Sequence, residues 1–597
     1  MQSVFAVQEP RATARQAPSC LHILFLVSAH NSLSQRIWAE LTGLGHEVDV
    51  AVVDSAAQME AAVAAHEPEL IVCPMLKTMI PSSVWSTHRC LIVHPGPPGD
   101  RGPSSLDWAI ELGAERWGVT VLQADDEPDA GPIWASGSFE MRPAGKSSLY
   151  RHEVRRAATA AVREAVTRSA NGAGPATDPK GHAHGTHRSR PLLTQSERRI
   201  EWGGDPTETV VRRIRAAEGH PGVLDTVEGI DAYLFGVHRE SRLRGSPGEI
   251  VAQRHGAICR ATVDGAVWIT HLKQREASSE PAFKLPATRA LQLAGVELAV
   301  PEVPAPVSLS PGGPTYRDIA YEEHAGVGRL AFDFYNGAMS TDQCRRLRDA
   351  YRYARSRAQT RVIVLCGGAD FFSNGIHLNV IEAAPDPAQE SWENLRAIDD
   401  LVREIILTDS HLVIAALQGD AAAGGVPLAL AADEVFARPD VVLNPYYGHM
   451  GGLYGSEYWT YLLPRRVGRD LAAVLTGAPF TPLSAPQAVR VGLLDGVLGS
   501  DARASCAAVL TRARRLAADR RLDQRLEGKR RQRAADEAAR PLESYRRQEL
   551  DRCHECFFGA DRSYHEARRR FIHKLGAPCA VRAAVPEHSS PTPGGRP

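Results

Sequence analysis

From Leu21 onward, short apolar runs alternate with segments of helical periodicity: "HILFLVS", "SLSQRIWAELTGLG", "HEVDVAVV", "SAAQMEAAVAAH", "ELIVCPM" and "CLIVH". Unbroken apolar runs are strands buried on both faces, and the helical stretches between them are crossovers, so residues 21–170 predict a doubly wound parallel α/β domain. The segment "GVTVLQADDEPDAGPIWASGSFEM" adds strands around an acidic turn, and one long helix, "SSLYRHEVRRAATAAVREAVTRSA", closes the unit near Ala170. Residues 171–195, rich in Gly, Pro and His and without periodicity, read as a flexible linker.

Between 196 and 299 an amphipathic helix, "TETVVRRIRAAE", precedes the glycine-punctuated runs "AYLFGVH", "GEIVAQ", "AICRATV" and "AVWITHL", the pattern of a small β-barrel module. A proline-rich connector occupies 300–325, and strands and helices alternate again over 326–500 through "VGRLAFDF", "TDQCRRLRDAYRYA", "RVIVLCG", "LRAIDDLVREIIL", "HLVIAAL" and "VPLALAADEVFA". Residues 501–578 turn Ala-, Arg- and Leu-rich and helical; 1–20 form an extension and 579–597 a disordered tail.

Composition narrows the class. A chain of 597 residues exceeds one ordinary core, and 69 Lys plus Arg against 70 Asp plus Glu give no global argument for nucleic acid or an anionic membrane. No apolar run approaches the ~20 residues needed to span a bilayer. "LHILFLVSA" follows Arg11 and Arg15 as a signal peptide would, but it runs into "HNSLSQRIWAEL" and reads better as a first buried strand. Ten cysteines without framework spacing fit reduced thiols and a cytoplasmic protein. The close pair in "CHEC", Cys553 and Cys556, lacks a second pair to complete a zinc site and reads as two thiols on a helix; the linker histidines read as solvated, and no metal is expected.

Two stretches carry chemistry. In "HPGPPGDRGPSSLDWAI", His94 stands at the carboxyl end of a buried strand, where open parallel sheets bind ligands. Four prolines and three glycines in the next nine residues stiffen the turn and let a ligand approach, and Ser104 is placed to cap the following helix with Leu106 and Trp108. Asp129, in "DDEPDAGPI", lies on the turn between the next two strands, so an imidazole and a carboxylate at strand ends can orient one another and carry a proton through acyl transfer. In the later half, "ADFFSNGIHL" and "LQGDAAAGGVPLALAADEVFA" are strand-turn-helix segments whose small-residue turns leave backbone N–H groups for an oxyanion.

"IVHPGPPGDRGPS" and "GVTVLQADDEPDAGPI" resemble, in order and spacing, the Asn-x-His loop and the Asp motif of formyltetrahydrofolate-dependent transferases and hydrolases. The resemblance implies the family's His and Asp roles for His94 and Asp129, and a cofactor contact for Ser104, with Ile92 standing where the family has Asn. "RRIRAAEGHPG" is similar to the start of the OB-like barrel behind the catalytic domain of methionyl-tRNA formyltransferases. "FFSNGIHL" and "GDAAAGGVPLALAAD" resemble the crotonase (enoyl-CoA hydratase/isomerase) motifs, which implies coenzyme A, the backbone N–H groups of Asn374 and Gly424 as oxyanion donors, and Gly375 as a cofactor contact. Both hydration glutamates are replaced, by Pro427 and Tyr446. In "NPYYGHMGGLYGSEYW" the groups able to move a proton are Tyr446, Tyr447, His449 and Glu457, of which Tyr447 and Glu457 are the first choice.

The combination, with "NSLSQRIWAEL", "FYNGAMST" and "LYGSEYWTYLLPRRVG", resembles the HypX/HoxX family of hydrogenase-maturation proteins over nearly the full chain. That resemblance implies formyl transfer from 10-formyltetrahydrofolate to coenzyme A, release of CO from formyl-CoA for the iron of [NiFe]-hydrogenase, and the hydrogenase maturation machinery or large-subunit precursor as partner. Two alternatives stay open at this point: an amine formyltransferase with a separate CoA-binding half, and a second half that only docks the hydrogenase precursor.

Overall fold

The computed structural model describes residues 20–176, 188–275, 281–308, 312–477 and 482–575; the N-terminal extension to residue 19, the middle of the linker, and the tail 579–597 with Cys579 lie outside them. The chain divides into two compact units, the first made of Met1–Arg101, Gly118–Ser138 and Ala157–Arg188, the second of Gly102–Trp117, Phe139–Arg156 and Ser189–Pro597.

The first unit is built on a sheet in the order Glu47–Val52, His22–Val27, Leu70–Cys73, Cys90–His94, Arg116–Gln123 and Ile133–Glu140. The first four strands are parallel, as the unbroken apolar runs require. The parallel order stops there. Cys90–His94 pairs antiparallel with Arg116–Gln123, His94 facing Thr120, because the chain re-enters the sheet at the edge where His94 left it. Leu24, Leu26, Met59, Ile71, Cys73 and Cys90 form one apolar core. Helix Ser32–Gly43 starts at Asn31, whose side chain accepts from the N–H groups of Leu33 and Ser34. Helix Ala56–His66 is tied to the strands at Asp49, whose Oδ2 lies 2.9 Å from His22 Nε2 and 2.8 Å from His66 Nδ1.

In the second unit, an antiparallel sheet runs Ile250–Arg254, Ala257–Ala261, Ala266–Gln274, Ile230–Glu240, Val223–Val227, with Leu285–Pro286 also on Ala266–Gln274. Helix Thr207–Ala217 buries Val210, Val211 and Ile214 in the same core. The later α/β part has a main sheet, Ile319–His324, Val327–Phe332, Val362–Cys366, Leu412–Leu417, Glu434–Ala437 and Gly496–Val497. A second sheet contains Phe371–Ser373, Asp420–Ala422, Val442–Asn444 and Leu483–Ser484. The chain crosses from the first sheet to the second after Cys366, after Leu417 and after Ala437, and the strands entered by the first two crossings, Phe371–Ser373 and Asp420–Ala422, lead into the two glycine-containing turns. Backbones meet closely there: a Cβ on Gly425 would stand 1.9 Å from the Ser373 carbonyl oxygen. Gly425→Ala is expected to destabilise the protein by about 1–3 kcal/mol, since a backbone atom cannot rotate away, and a lowered denaturation midpoint checks this.

The expected single helix near residues 147–170 is broken into Lys146–Leu149, a π turn at Tyr150–Val154, and Arg155–Ala170. The π turn lets neighbouring side chains converge on one acceptor. Asp370 accepts from Ser148 Oγ at 2.6 Å, Arg151 Nη1 at 2.9 Å and His152 Nε2 at 2.8 Å. One turn later Arg155, fully buried, donates to Asp420 at 2.6 Å. The helical region ends in Ala502–Ala518, Leu522–Ala539, Leu542–Phe558 and Ser563–His573. Cys553 and Cys556 sit on Leu542–Phe558, and the buried Cys553 thiol donates to the Gly455 carbonyl at 3.3 Å. No described helix is long and apolar enough to cross a membrane.

Candidate active sites

His94 ends its strand buried, with its ring between two carboxylates: Nε2 lies 3.2 Å from Asp100 Oδ2 and Nδ1 lies 3.4 Å from Asp129 Oδ1. Asp129 reaches it from a left-handed backbone position, φ 56°. The packing leaves no room for a side chain at residue 96, where a Cβ would stand 2.5 Å from His94 Nε2 and 2.4 Å from Asp100 Oδ2. Thr120 Oγ1 donates to the Gly96 carbonyl at 2.8 Å and holds the turn from the antiparallel strand. Burial opposes charge on the imidazole, but the hydrogen bonds and charges of Asp100 and Asp129 outweigh it and raise its pKa to about 9. His94 is therefore a cation at neutral pH.

The raised pKa fixes a sign. Stability from this imidazolium is fully present below its ordinary pKa near 6.5 and is lost as pH rises through about 9. Asp100→Asn removes one of the two charges, and His94 is expected to titrate about 1–3 units lower, a shift that NMR of the imidazole reads directly.

Ile92, at the family's Asn position, packs against the apolar core and offers no amide. Ser104 is the residue before helix Ser105–Glu111 but does not cap it through its side chain; its Oγ instead accepts from the Leu193 N–H at 3.1 Å. The expected cap is thus corrected: φ −117° and ψ 31° at Ser104 are not the extended geometry in which a serine reaches forward to the first turn. Asp100 was missed in the sequence, although a carboxylate inside so stiff a turn beside a histidine is a readable signal.

The second candidate site forms where the turns after Phe371–Ser373 and Asp420–Ala422 meet. Gly375, at φ 78°, lets the turns approach, since a Cβ there would lie 3.3 Å from the Gly424 nitrogen. Gly424 precedes helix Gly425–Leu430, and among the described residues nothing accepts from its N–H. Asn374 differs from expectation: its backbone N–H donates to the Gly337 carbonyl at 2.7 Å, so it is not presented to a ligand oxygen. The reason is tertiary. The turn Tyr335–Gly337 lies over Asn374, and the Asn374 side-chain amide also donates to the Asn336 carbonyl at 2.8 Å. Pro427 is buried inside the short helix.

The glutamate that sequence spacing put far from these turns is on top of them. A Cβ on Gly424 would stand 2.3 Å from Glu457 Oε1, so the carboxyl lies against that glycine. Tyr447 O–H donates to Glu457 Oε2 at 2.8 Å, and the Ser456 N–H donates to the same oxygen at 3.2 Å. Gly455 makes room for the tyrosine, since a Cβ there would be 2.5 Å from the ring. Burial, then the nearby Asp399 charge, push Glu457 to about 8, and burial and Glu457 push Tyr447 well above the usual phenol range. At neutral pH the pair is a neutral acid beside a neutral phenol. Tyr446 and His449 instead pack on each other edge to face, 4.9 Å between ring centroids.

Comparison with known proteins follows the same division. The formyl transferase family model matches residues 52–166, the formyl transferase C-terminal domain model 192–283, and the enoyl-CoA hydratase/isomerase model 322–578. A hydrogenase maturation factor HoxX of Bradyrhizobium diazoefficiens is 48% identical over 560 residues, 93% of this chain and 95% of that protein. The chain belongs to the HypX/HoxX family of hydrogenase maturation factors. The crystal structure of HypX from Aquifex aeolicus in complex with tetrahydrofolic acid matches with a TM-score of 0.88 and 42% identity, covering 94% of this chain and 97% of that one. A methionyl-tRNA formyltransferase of Sorangium cellulosum is 27% identical over 220 residues, 36% of this chain and 70% of that protein. This HypX/HoxX chain thus joins formyltransferase domains to an enoyl-CoA hydratase/isomerase-like domain.

Proposed function

We propose that this HypX/HoxX chain makes carbon monoxide for the iron of [NiFe]-hydrogenase, first moving formyl from 10-formyltetrahydrofolate to coenzyme A and then splitting formyl-CoA. The observation that carries the reading is the Tyr447–Glu457 pair: a buried acid and phenol against the Gly424 turn, in a crotonase-like site whose hydration glutamates are gone. Hydration needs carboxylates that activate water. Loss of CO needs only a proton moved and a carbonyl oxygen held.

In the first step the thiol of coenzyme A attacks the formyl carbon, a C–S bond forms, the C–N bond breaks and the folate nitrogen takes a proton. His94, charged between Asp100 and Asp129, supplies positive charge to the tetrahedral oxyanion in place of the amide that Ile92 lacks. Tetrahydrofolate bound to the Aquifex aeolicus HypX supports the folate donor. In the second step the Gly424 N–H holds the thioester oxygen, the formyl C–H and C–S bonds break, and the formyl proton ends on sulfur. A neutral carboxyl can give a proton from one oxygen while accepting at the other, so Glu457, oriented by Tyr447, moves it with no net change of charge. Carbon changes ligand without any external oxidant or reductant.

The test is direct. Purified protein given 10-formyltetrahydrofolate and coenzyme A should turn deoxyhaemoglobin into its CO adduct, and omission of coenzyme A should abolish the signal. A formylated amine appearing without coenzyme A, and no gas, would overturn the proposal.

A further inference from the structure

We propose that Asp399 and Glu549 are positioning residues that hold the Glu457 backbone in place and keep its carboxyl protonated. The inference rests on the reading of Glu457 as the proton-moving group. It begins with the backbone: Glu457 and Tyr458 are consecutive non-glycine residues in the left-handed region, φ 62° and 59°, a conformation that L side chains avoid unless their surroundings impose it. The imposing groups are two buried carboxylates. Asp399 Oδ1, from helix Pro387–Ile406, accepts the Glu457 N–H at 2.8 Å, and Glu549 Oε2, from helix Leu542–Phe558, accepts the Tyr458 N–H at 2.8 Å.

The donors then decide where charge sits. Glu549 also accepts from the Thr460 N–H at 2.8 Å and from the Thr460 hydroxyl, which with the Tyr458 N–H makes three donors that favour its charged form over that of Glu457. Asp399 also takes the Ser456 hydroxyl, 2.8 and 2.9 Å from its two oxygens, and faces Arg546 Nε at 3.6 Å. Glu457 receives both of its donors, the Tyr447 O–H and the Ser456 N–H, on Oε2, and among the described residues no donor reaches Oε1, the oxygen nearest Gly424. The other titratable groups facing this carboxyl are Cys344 on helix Thr341–Ser356 and Cys553 on helix Leu542–Phe558, while Arg546 on the latter helix faces Asp399.

Asp399, Glu549, Ser456 and Glu457 are all at most 1% exposed, and Arg546 also serves Asp400 at 2.6 Å. Three negative charges in this space would share the cation Arg546. Burial and Asp399 push Glu457 and Glu549 alike to about 8, so the group retains a proton at neutral pH; the bare Oε1 of Glu457 is where the donor geometry leaves room for it. The proton is thus parked on the oxygen that faces the Gly424 turn.

The readout need not involve catalysis. In infrared difference spectra, wild type minus Glu457→Gln should show a buried neutral carboxyl band at pH 7 that disappears as pH rises through about 8. Asp399→Asn keeps an acceptor for the Glu457 N–H but removes a charge, and should move that titration down by about one unit or more, a tenfold loss of proton affinity. Glu549→Gln should move it the same way, and it carries the test if Asp399→Asn fails to fold by circular dichroism. Absence of the band in wild type, or titration unchanged in the folded variants, overturns the inference. Failure of wild type to release CO would overturn the proposed function alone, because the band does not depend on turnover.

Discussion

Tyr447→Phe is expected to go on forming formyl-CoA while its CO release falls by about 10²–10⁴-fold, the range for loss of a group positioned for proton transfer. The phenyl ring fills the same space beside Gly455, so packing is retained, and what is removed is the 2.8 Å hydrogen bond to Glu457 with the longer 3.3 Å contact to the Ser456 carbonyl. Rapid quench with chromatography of the thioester measures accumulation, and haemoglobin trapping measures the gas. Full CO output from this variant would remove the tyrosine from the mechanism. The expected accumulation is what distinguishes the proposal from a docking role for the second half, which predicts no thioester chemistry to interrupt.

His94→Ala should fail at the opposite point. Formyl transfer is expected to fall by about 10²–10⁴-fold, while formyl-CoA supplied from outside is still converted to CO at the wild-type rate, since Tyr447, Glu457 and Gly424 are untouched. The magnitude follows from what is lost: a buried imidazole held charged by Asp100 at 3.2 Å and Asp129 at 3.4 Å. Two variants with reciprocal defects would assign the two steps to two sets of residues. Equal loss of both steps in both variants would mean that the steps are not separable.

Much of this was legible in the chain itself. The alternation of apolar runs with helical segments announced the α/β class, and "CLIVH" placed His94 at a strand end because a β-branched run breaking into prolines and glycines has few other ways to fold. Tyr447 and Glu457 were a first choice among four groups able to carry a proton in the segment that replaces the hydration motif, and sequence alone did not separate them from Tyr446 and His449. Asp399 and Glu549 left a fainter mark. Asp399 sits on the same helical stripe as Leu395 and Val402, and Glu549 on that of Leu542 and Cys553, so each is a carboxylate in line with apolar residues. That pattern says the group is buried and cannot say with what.

Local sequence therefore determined the strands, helices and turns, and which residue types stand at their ends, because periodicity, proline and glycine act over a few residues. Only the tertiary structure decided that the strand after His94 runs antiparallel, that the Asn374 amide is taken by Gly337, and that Asp100, Asp399 and Glu549 join their sites. Those outcomes depend on hydrogen bonds and charges between segments distant along the chain, such as the 91 residues separating Tyr458 from Glu549, and no local pattern encodes which donor will find which acceptor.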